Sequence, residues 1–136
     1  MKTHEFFNKY CGRKIDFDGA FGAQCVDLFR QYCKDVMNIP EKMEGVDGAK
    51  DLWLNYDKMP IEKKYLKKEQ ADYGDVVVFD KTATNPYGHV AIFVCFTNSA
   101  KSEMLVFEQD GFEQGGAKFA KRGAENVLGY FWRKNS

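Results

Sequence analysis

The hydrophobic period of this chain changes once, and that change limits what it can fold into. Before Ala71-Asp-Tyr-Gly-Asp75 the apolar residues recur at three- and four-residue spacing. That is the period of one helix face. After it they come in short runs bounded by turn residues, the mark of strands. The spacing predicts a helix over Thr3 to Lys9, with Thr3 as its cap, Phe6, Phe7 and Tyr10 on its apolar side, and Gly12 ending it. A second runs from Gln24 to Met37, where Cys25, Leu28, Phe29, Tyr32, Cys33 and Val36 define a buried face and Pro40 follows the end. A third covers Gly45 to Tyr56, with Leu52, Trp53 and Tyr56 inward. The lysine-rich stretch from Lys58 to Glu69 reads as solvated. Strands are expected at Val76–Phe79, His89–Val94, Met104–Asp110 and Val127–Trp132. Helices first, then hairpin-connected strands, means an α+β domain with the N-terminal helices packed on an antiparallel β-sheet. At 136 residues the chain is expected to be a single domain, 1–136, with a core that needs no staples.

Charge and composition exclude several function classes. Twenty basic residues balance twenty acidic ones. That leaves none of the basic surplus by which nucleic-acid binders attract phosphate. The longest apolar run, Val90 to Phe96, is strand-sized and far short of the ~20 residues a membrane helix needs. Met1 to Phe7 shows no leader pattern, so synthesis in the cytosol is expected. Cysteines stand at 11, 25, 33 and 95 with no Cys-x-x-Cys pair, which speaks against a zinc knot. Free thiols are expected.

The residues that can carry chemistry concentrate around Cys25. It opens the second helix, where unpaired N–H groups and the helix dipole favour an anion. Yet Asp16, Asp18 and Asp27 bracket it, and nearby carboxylates oppose thiolate formation. A hard cation resolves the conflict. Alternate carboxylates followed by glycine suit calcium, which takes six to eight oxygens. Asp16, Asp18 and Asp27 can supply side chains, and Ala20 and Gly22 backbone carbonyls. The spacing is not that of an EF-hand, because position five holds Ala20 and the twelfth place is Asp27. Of the two histidines, His4 reads as exposed and without a role. His89 opens a buried strand after a glycine-containing turn. Glu108 and Asp110 are two apart and share one strand face. If the 89–94 and 104–110 strands pair, that face also carries His89. Cys25 would then be the nucleophile and His89 the general base, with Glu108 or Asp110 orienting the imidazole. Gln24, with the backbone N–H of Cys25, is placed to form an oxyanion hole.

Five pieces, in order, resemble one family. They are Asp16-x-Asp18-Gly19-x-x-Gly22-x-Gln24-Cys25-x-Asp27, Gly74-Asp75-Val-Val-Val-Phe79, Gly88-His89-Val-Ala-Ile92, Phe107-Glu108-Gln109 and Leu128-Gly-Tyr-Phe131. The chain is similar to CHAP domains, the cysteine- and histidine-dependent amidohydrolases/peptidases of papain-like fold. The resemblance covers residues 6 to 132. It implies cleavage of amide bonds in bacterial peptidoglycan at the cell wall, with Cys25 attacking, His89 as base, Glu108 holding His89 and Gln24 at the oxyanion. The acidic segment is similar to that of calcium-binding members from bacteriophage lysins, implying Ca2+ on Asp16, Asp18, Ala20, Gly22 and Asp27. Many members show Glu-x-Asn where this chain has Glu108-Gln109-Asp110. An ionised aspartate only accepts hydrogen bonds, whereas asparagine also donates. A phage lysin domain, monomeric and joined to a separate wall-binding module, is the reading this favours. A secreted autolysin, a peptidase acting on proteins and a non-catalytic calcium-dependent wall-binding module are the alternatives.

Overall fold

A computed structural model describes residues 1–17, 24–39, 48–58, 65–110 and 115–133. Helix α1 spans Thr3–Tyr10, α2 Cys25–Asp35 and α3 Asp51–Leu54, followed by a 3-10 turn at Tyr56–Lys58. The strands are β1 Tyr65–Lys68, β2 Val76–Phe79, β3 His89–Phe96, β4 Glu103–Glu108, β5 Lys118–Gly123 and β6 Val127–Arg133. They form one antiparallel sheet in the order β1-β6-β2-β3-β4-β5. The expected α+β architecture, helices on an antiparallel sheet, is what the chain adopts.

Two apolar clusters cover the two faces of the sheet. The larger joins Phe6, Phe7 and Tyr10 of α1 and Leu28, Phe29, Tyr32 and Cys33 of α2 to Val76, Val78, Val90, Ile92, Phe107 and Phe131. Each large apolar side chain fully buried here contributes about 1.5–3 kcal/mol, so the helices are held by these contacts rather than by propensity. The smaller cluster holds Val77, Phe79, Ala91, Phe93, Met104, Val106 and Tyr130. Because β2, β3 and β4 are covered on both faces, their sequences read as near-continuous apolar runs.

Several local expectations are corrected. Lys2, not Thr3, is the N-cap of α1; Thr3 Oγ1 instead pairs with Tyr32 Oη at 2.8 Å. The stretch expected to be solvated contains β1, where Tyr65 is fully buried against Phe29 and Phe131. The two lysines of β1 disguise it as surface, yet Lys67 lies over the rings of Trp53 and Tyr56. The helix expected from Gly45 to Tyr56 is, among the described residues, only the short α3 and the turn after it; residues 40–47 lie outside the description. The strands are not a simple succession of hairpins. β6 returns between β1 and β2, because Tyr130 and Phe131 are both buried, on opposite faces, and a central slot suits that. Gly129 leaves room on β6 for the Trp53 ring. Strand β5 has no expectation to match; at this edge Lys118, Phe119, Lys121 and Gly123 are exposed, which hides the strand period.

The turn before His89 is built around Gly88. Its φ is +76°, and a Cβ there would lie 2.5 Å from the Phe79 carbonyl oxygen and 3.0 Å from the Lys50 nitrogen. Backbone groups cannot swing aside as a side-chain tip can. Gly88→Ala is therefore expected to lower stability by at least about 1–3 kcal/mol, the usual range for a strained φ/ψ. Urea unfolding followed by circular dichroism measures it; an unchanged midpoint would mean the 48–50 and 85–88 segments are not clamped together.

Candidate active site

His89 is the first residue of β3 and Glu108 the last of β4. In an antiparallel pair those positions lie at the same end of the sheet. His89 Nε2 sits 3.2 Å from Glu108 Oε1, with both groups buried. The expected pairing of the two strands is what brings them together, and Ile92 opposite Phe107 sets the register. Cys25 begins α2, half-buried against the larger cluster, and its side chain hydrogen-bonds to His89. With Nε2 turned to Glu108, Nδ1 is the nitrogen left for the thiol. Cys25, His89 and Glu108, far apart in the chain, are thus brought together.

Two further residues complete this cluster, and sequence reasoning assigned neither of them a role. Arg122 of β5 donates from Nε to Glu108 Oε1 at 2.5 Å and from Nη2 to Oε2 at 2.7 Å. Its one signal in the sequence is the lysine- and arginine-rich run 118–122, which looks like an exposed charge run. Gln109 is fully buried. Its Oε1 accepts from the Ile15 N–H at 2.7 Å, and its Nε2 donates to the carbonyls of Ile15 at 2.6 Å and Gln24 at 2.9 Å. One amide just past β4 thereby bonds Ile15 and Gln24, using both its donor and its acceptor.

The remaining candidates separate. Gln24 is exposed and is the N-cap of α2. Its backbone N–H donates to Asp27 Oδ2 at 3.0 Å, one arm of a capping box. Asp27 is buried, which a first-turn aspartate need not be. Asp16 is exposed just after the Gln109-bound Ile15. Asp18, Ala20 and Gly22 lie outside the described residues. Asp110 follows β4 rather than extending it, with its Oδ2 3.9 Å from Arg122 Nη2. His4 is exposed on α1. All four cysteines are free thiols. Cys33, unlike Cys25, is buried and bonded to the Tyr65 hydroxyl; burial pushes its thiol up to about 12, so of the two it is the inert one.

The cluster is strongly polarised. Burial opposes a charged His89, but the hydrogen bonds and charges of Cys25 and Glu108 outweigh it and raise the imidazole to about 9. Burial likewise opposes an ionised Glu108, yet Arg122 and His89 hold it down at about 2. Chemically this arrangement pairs a thiol at a helix start with an imidazole that stays charged through neutral pH. Those are the parts of a cysteine nucleophile and its acid–base partner.

Residues 14–110 match the model of the CHAP domain. The chain belongs to the CHAP domain family. Two curated relatives come from bacteriophages. One is a D-alanyl-L-alanine endopeptidase of Streptococcus phage B30, 32% identical over 131 residues, covering 94% of this chain and 27% of the relative. The other is the endolysin PlyTW of Staphylococcus phage Twort, 35% identical over 97 residues, covering 68% of this chain and 20% of the relative. The chain therefore spans about a quarter and a fifth of their lengths. Among solved structures, the wild-type endolysin LysIME-EF1 superposes with a TM-score of 0.70 at 18% identity, covering 97% of this chain and 64% of the other. Ly7917 gives 0.64 at 16% identity, with coverage of 98% and 62%. At such identities the likeness is one of fold, and the CHAP fold anticipated from the five sequence pieces is the fold observed.

The pH dependence of stability follows from the two shifts. Glu108 drops from its ordinary 4.5 to about 2 in the folded state, so its pairing stabilises above about pH 4.5 and is lost as pH falls toward 2. His89 rises from 6.5 to about 9, so its pairing stabilises below 6.5 and is lost as pH rises through 9. The difference in melting temperature between the native protein and Glu108→Gln should peak between pH 4.5 and 6.5 and shrink on both sides. Calorimetry across pH 3 to 10 checks this; a difference that does not vary with pH would mean the His89–Glu108 pair is not ionic.

Proposed function

We propose that this CHAP domain is a peptidoglycan hydrolase of the bacteriophage lysin type, cutting amide bonds by a Cys25–His89–Glu108 mechanism. The observation that carries the reading is the juxtaposition of a helix-start thiol, an imidazole and a carboxylate. The Cys25 sulfur attacks the amide carbonyl carbon, and the new C–S bond leaves charge on the oxygen. The backbone N–H of Cys25 and the Gln24 side chain stabilise that oxyanion. As the C–N bond breaks, His89 gives its proton to the departing amine. A water then attacks the thioester, His89 takes its proton, and C–S cleavage releases a carboxylic acid and regenerates the Cys25 thiolate beside the protonated His89. Glu108 accepts from Nε2 and keeps Nδ1 toward the sulfur. The endopeptidase activity named for the streptococcal phage relative favours a peptide bond within the stem or bridge over the lactyl amide. The short span relative to the phage proteins suits a catalytic domain joined to a separate wall-binding module.

Calcium fits the donor chemistry at the head of α2. Asp16 and Asp27 are hard oxygen donors flanking residues 18–23, and Asp27 is a buried carboxylate already directed at Gln24 N–H. With Asp18 and the carbonyls of Ala20 and Gly22 they would form the ligand set. When bound, Ca2+ would cross-link the segment and offset its carboxylate charge beside Cys25.

Cys25→Ala is expected to abolish clearing of a cell-wall suspension with melting temperature unchanged; persistent clearing would leave a non-hydrolytic or Cys25-independent protein. Mass spectrometry of digested wall then distinguishes a new peptide amine from a freed lactyl group. For the cation, EGTA should lower both the melting temperature and the rate at which iodoacetamide alkylates Cys25. If neither moves, calcium plays no part.

A further inference from the structure

Asp110 poses a problem for the mechanism just described. It places a second carboxylate two residues from Glu108. Two carboxylates close together oppose each other's ionisation. The structure holds a counterweight. Arg122 Nε and Nη2 grip both oxygens of Glu108, and Nη2 also faces Asp110 Oδ2 at 3.9 Å. The guanidinium is planar and always charged, so its two parallel bonds fix the plane of the carboxylate as well as its charge. Oε1 is shared by Arg122 and His89. The rotamer that satisfies Arg122 is therefore the one that presents an oxygen to the imidazole.

We propose that Arg122 is a positioning residue of this site: it locks the Glu108 carboxylate toward His89 and neutralises the Glu108–Asp110 pair. The proposal rests on the Cys25–His89–Glu108 reading. Arg122 touches no reacting atom and acts through Glu108 alone. The charged and titratable groups around Glu108 are His89 from β3, Arg122 from β5, Lys118 of β5 opposite Glu108 in the register, and Asp110 beyond the end of β4, with Cys25 of α2 behind His89. Among the described residues the side chains that hydrogen-bond Glu108 are those of Arg122 and His89. Without Arg122, Glu108 would be a buried carboxylate held by His89 alone, and burial would favour its neutral form. A protonated Glu108 no longer offers His89 an anion.

The test is a double-mutant cycle on clearing rate with purified cell walls, using Arg122→Met, Arg122→Lys, Glu108→Gln and Arg122→Met/Glu108→Gln, each checked for folding by circular dichroism. Arg122→Met should cost at least tenfold in the maximal rate, with the wall concentration at half-rate little changed. Its acid limb should move to higher pH, since Glu108 now loses its charge at a higher pH. Arg122→Lys, keeping the charge without the fork, should recover the acid limb but only part of the rate. In the Glu108→Gln background the further loss of Arg122 should cost little. Independent, multiplicative losses, or a folded Arg122→Met with native rate and acid limb, would overturn the proposal. Should Arg122→Met fail to fold, Arg122→Lys with a native rate would overturn it. Cys25→Ala run alongside separates the two ideas: clearing by Cys25→Ala sinks the mechanism itself, whereas an inactive Cys25→Ala with a native Arg122→Met sinks only the role of Arg122.

Discussion

A buried carboxylate is tolerable only where cations meet it, and the organisation of this domain around its site follows from that constraint. Glu108 sits at the end of a strand covered on both faces. Arg122 and His89 are what let it stay ionised there, and Cys25 together with its charge in turn raises His89 despite burial. Each of the three groups would be unfavourable in this place alone; together they form a chain of charge-assisted bonds in which removing one member strands the others. The chain spans three adjacent strands, β3, β4 and β5, so the register of the sheet and the state of the site depend on each other.

A second constraint holds Cys25 against this chain. Helix α2 packs through Leu28, Phe29, Tyr32 and Cys33, which sets its height on the sheet but only loosely its entrance. Gln109 supplies what is missing. Its neighbour Glu108 bonds the imidazole, while Gln109, just past the end of β4, bonds the carbonyl of Gln24 immediately before the cysteine. Adjacent residues thus serve the two halves of the site. The same amide holds Ile15, next to Asp16, so one side chain fixes the backbone both at Ile15 and immediately before the cysteine.

The interpretable parts of the sequence were those where one side-chain period dominates. The α2 face, the β2 and β3 runs and the succession from helix to strand could all be recognised, because burial on one or both faces leaves a regular apolar imprint. Cys25, His89 and Glu108 could be picked out because a thiol at a helix start and an acid beside a strand histidine are unusual enough to need explaining. β1 and β5 were missed for the converse reason. They are edge strands, and lysines there guard against pairing with other chains while erasing the alternation. Arg122 was lost with β5: an arginine in a basic run carries no sign that its partner is a buried glutamate fourteen residues earlier.

What the sequence determined by itself is the α+β succession of elements and the candidates Cys25, His89 and Glu108 on them, since both depend on residue type and local spacing. It also placed the chain in its family, because five short motifs in order constrain the whole. The tertiary structure decided which groups act together. It chose Glu108 over Asp110 as the partner of His89, assigned Asp110 to Arg122, and made Gln109 the link between strand and helix entrance. It also inserted β6 between β1 and β2. These outcomes turn on strand order and register, which arise from non-local packing, and local spacing does not encode which distant residues a folded sheet sets side by side.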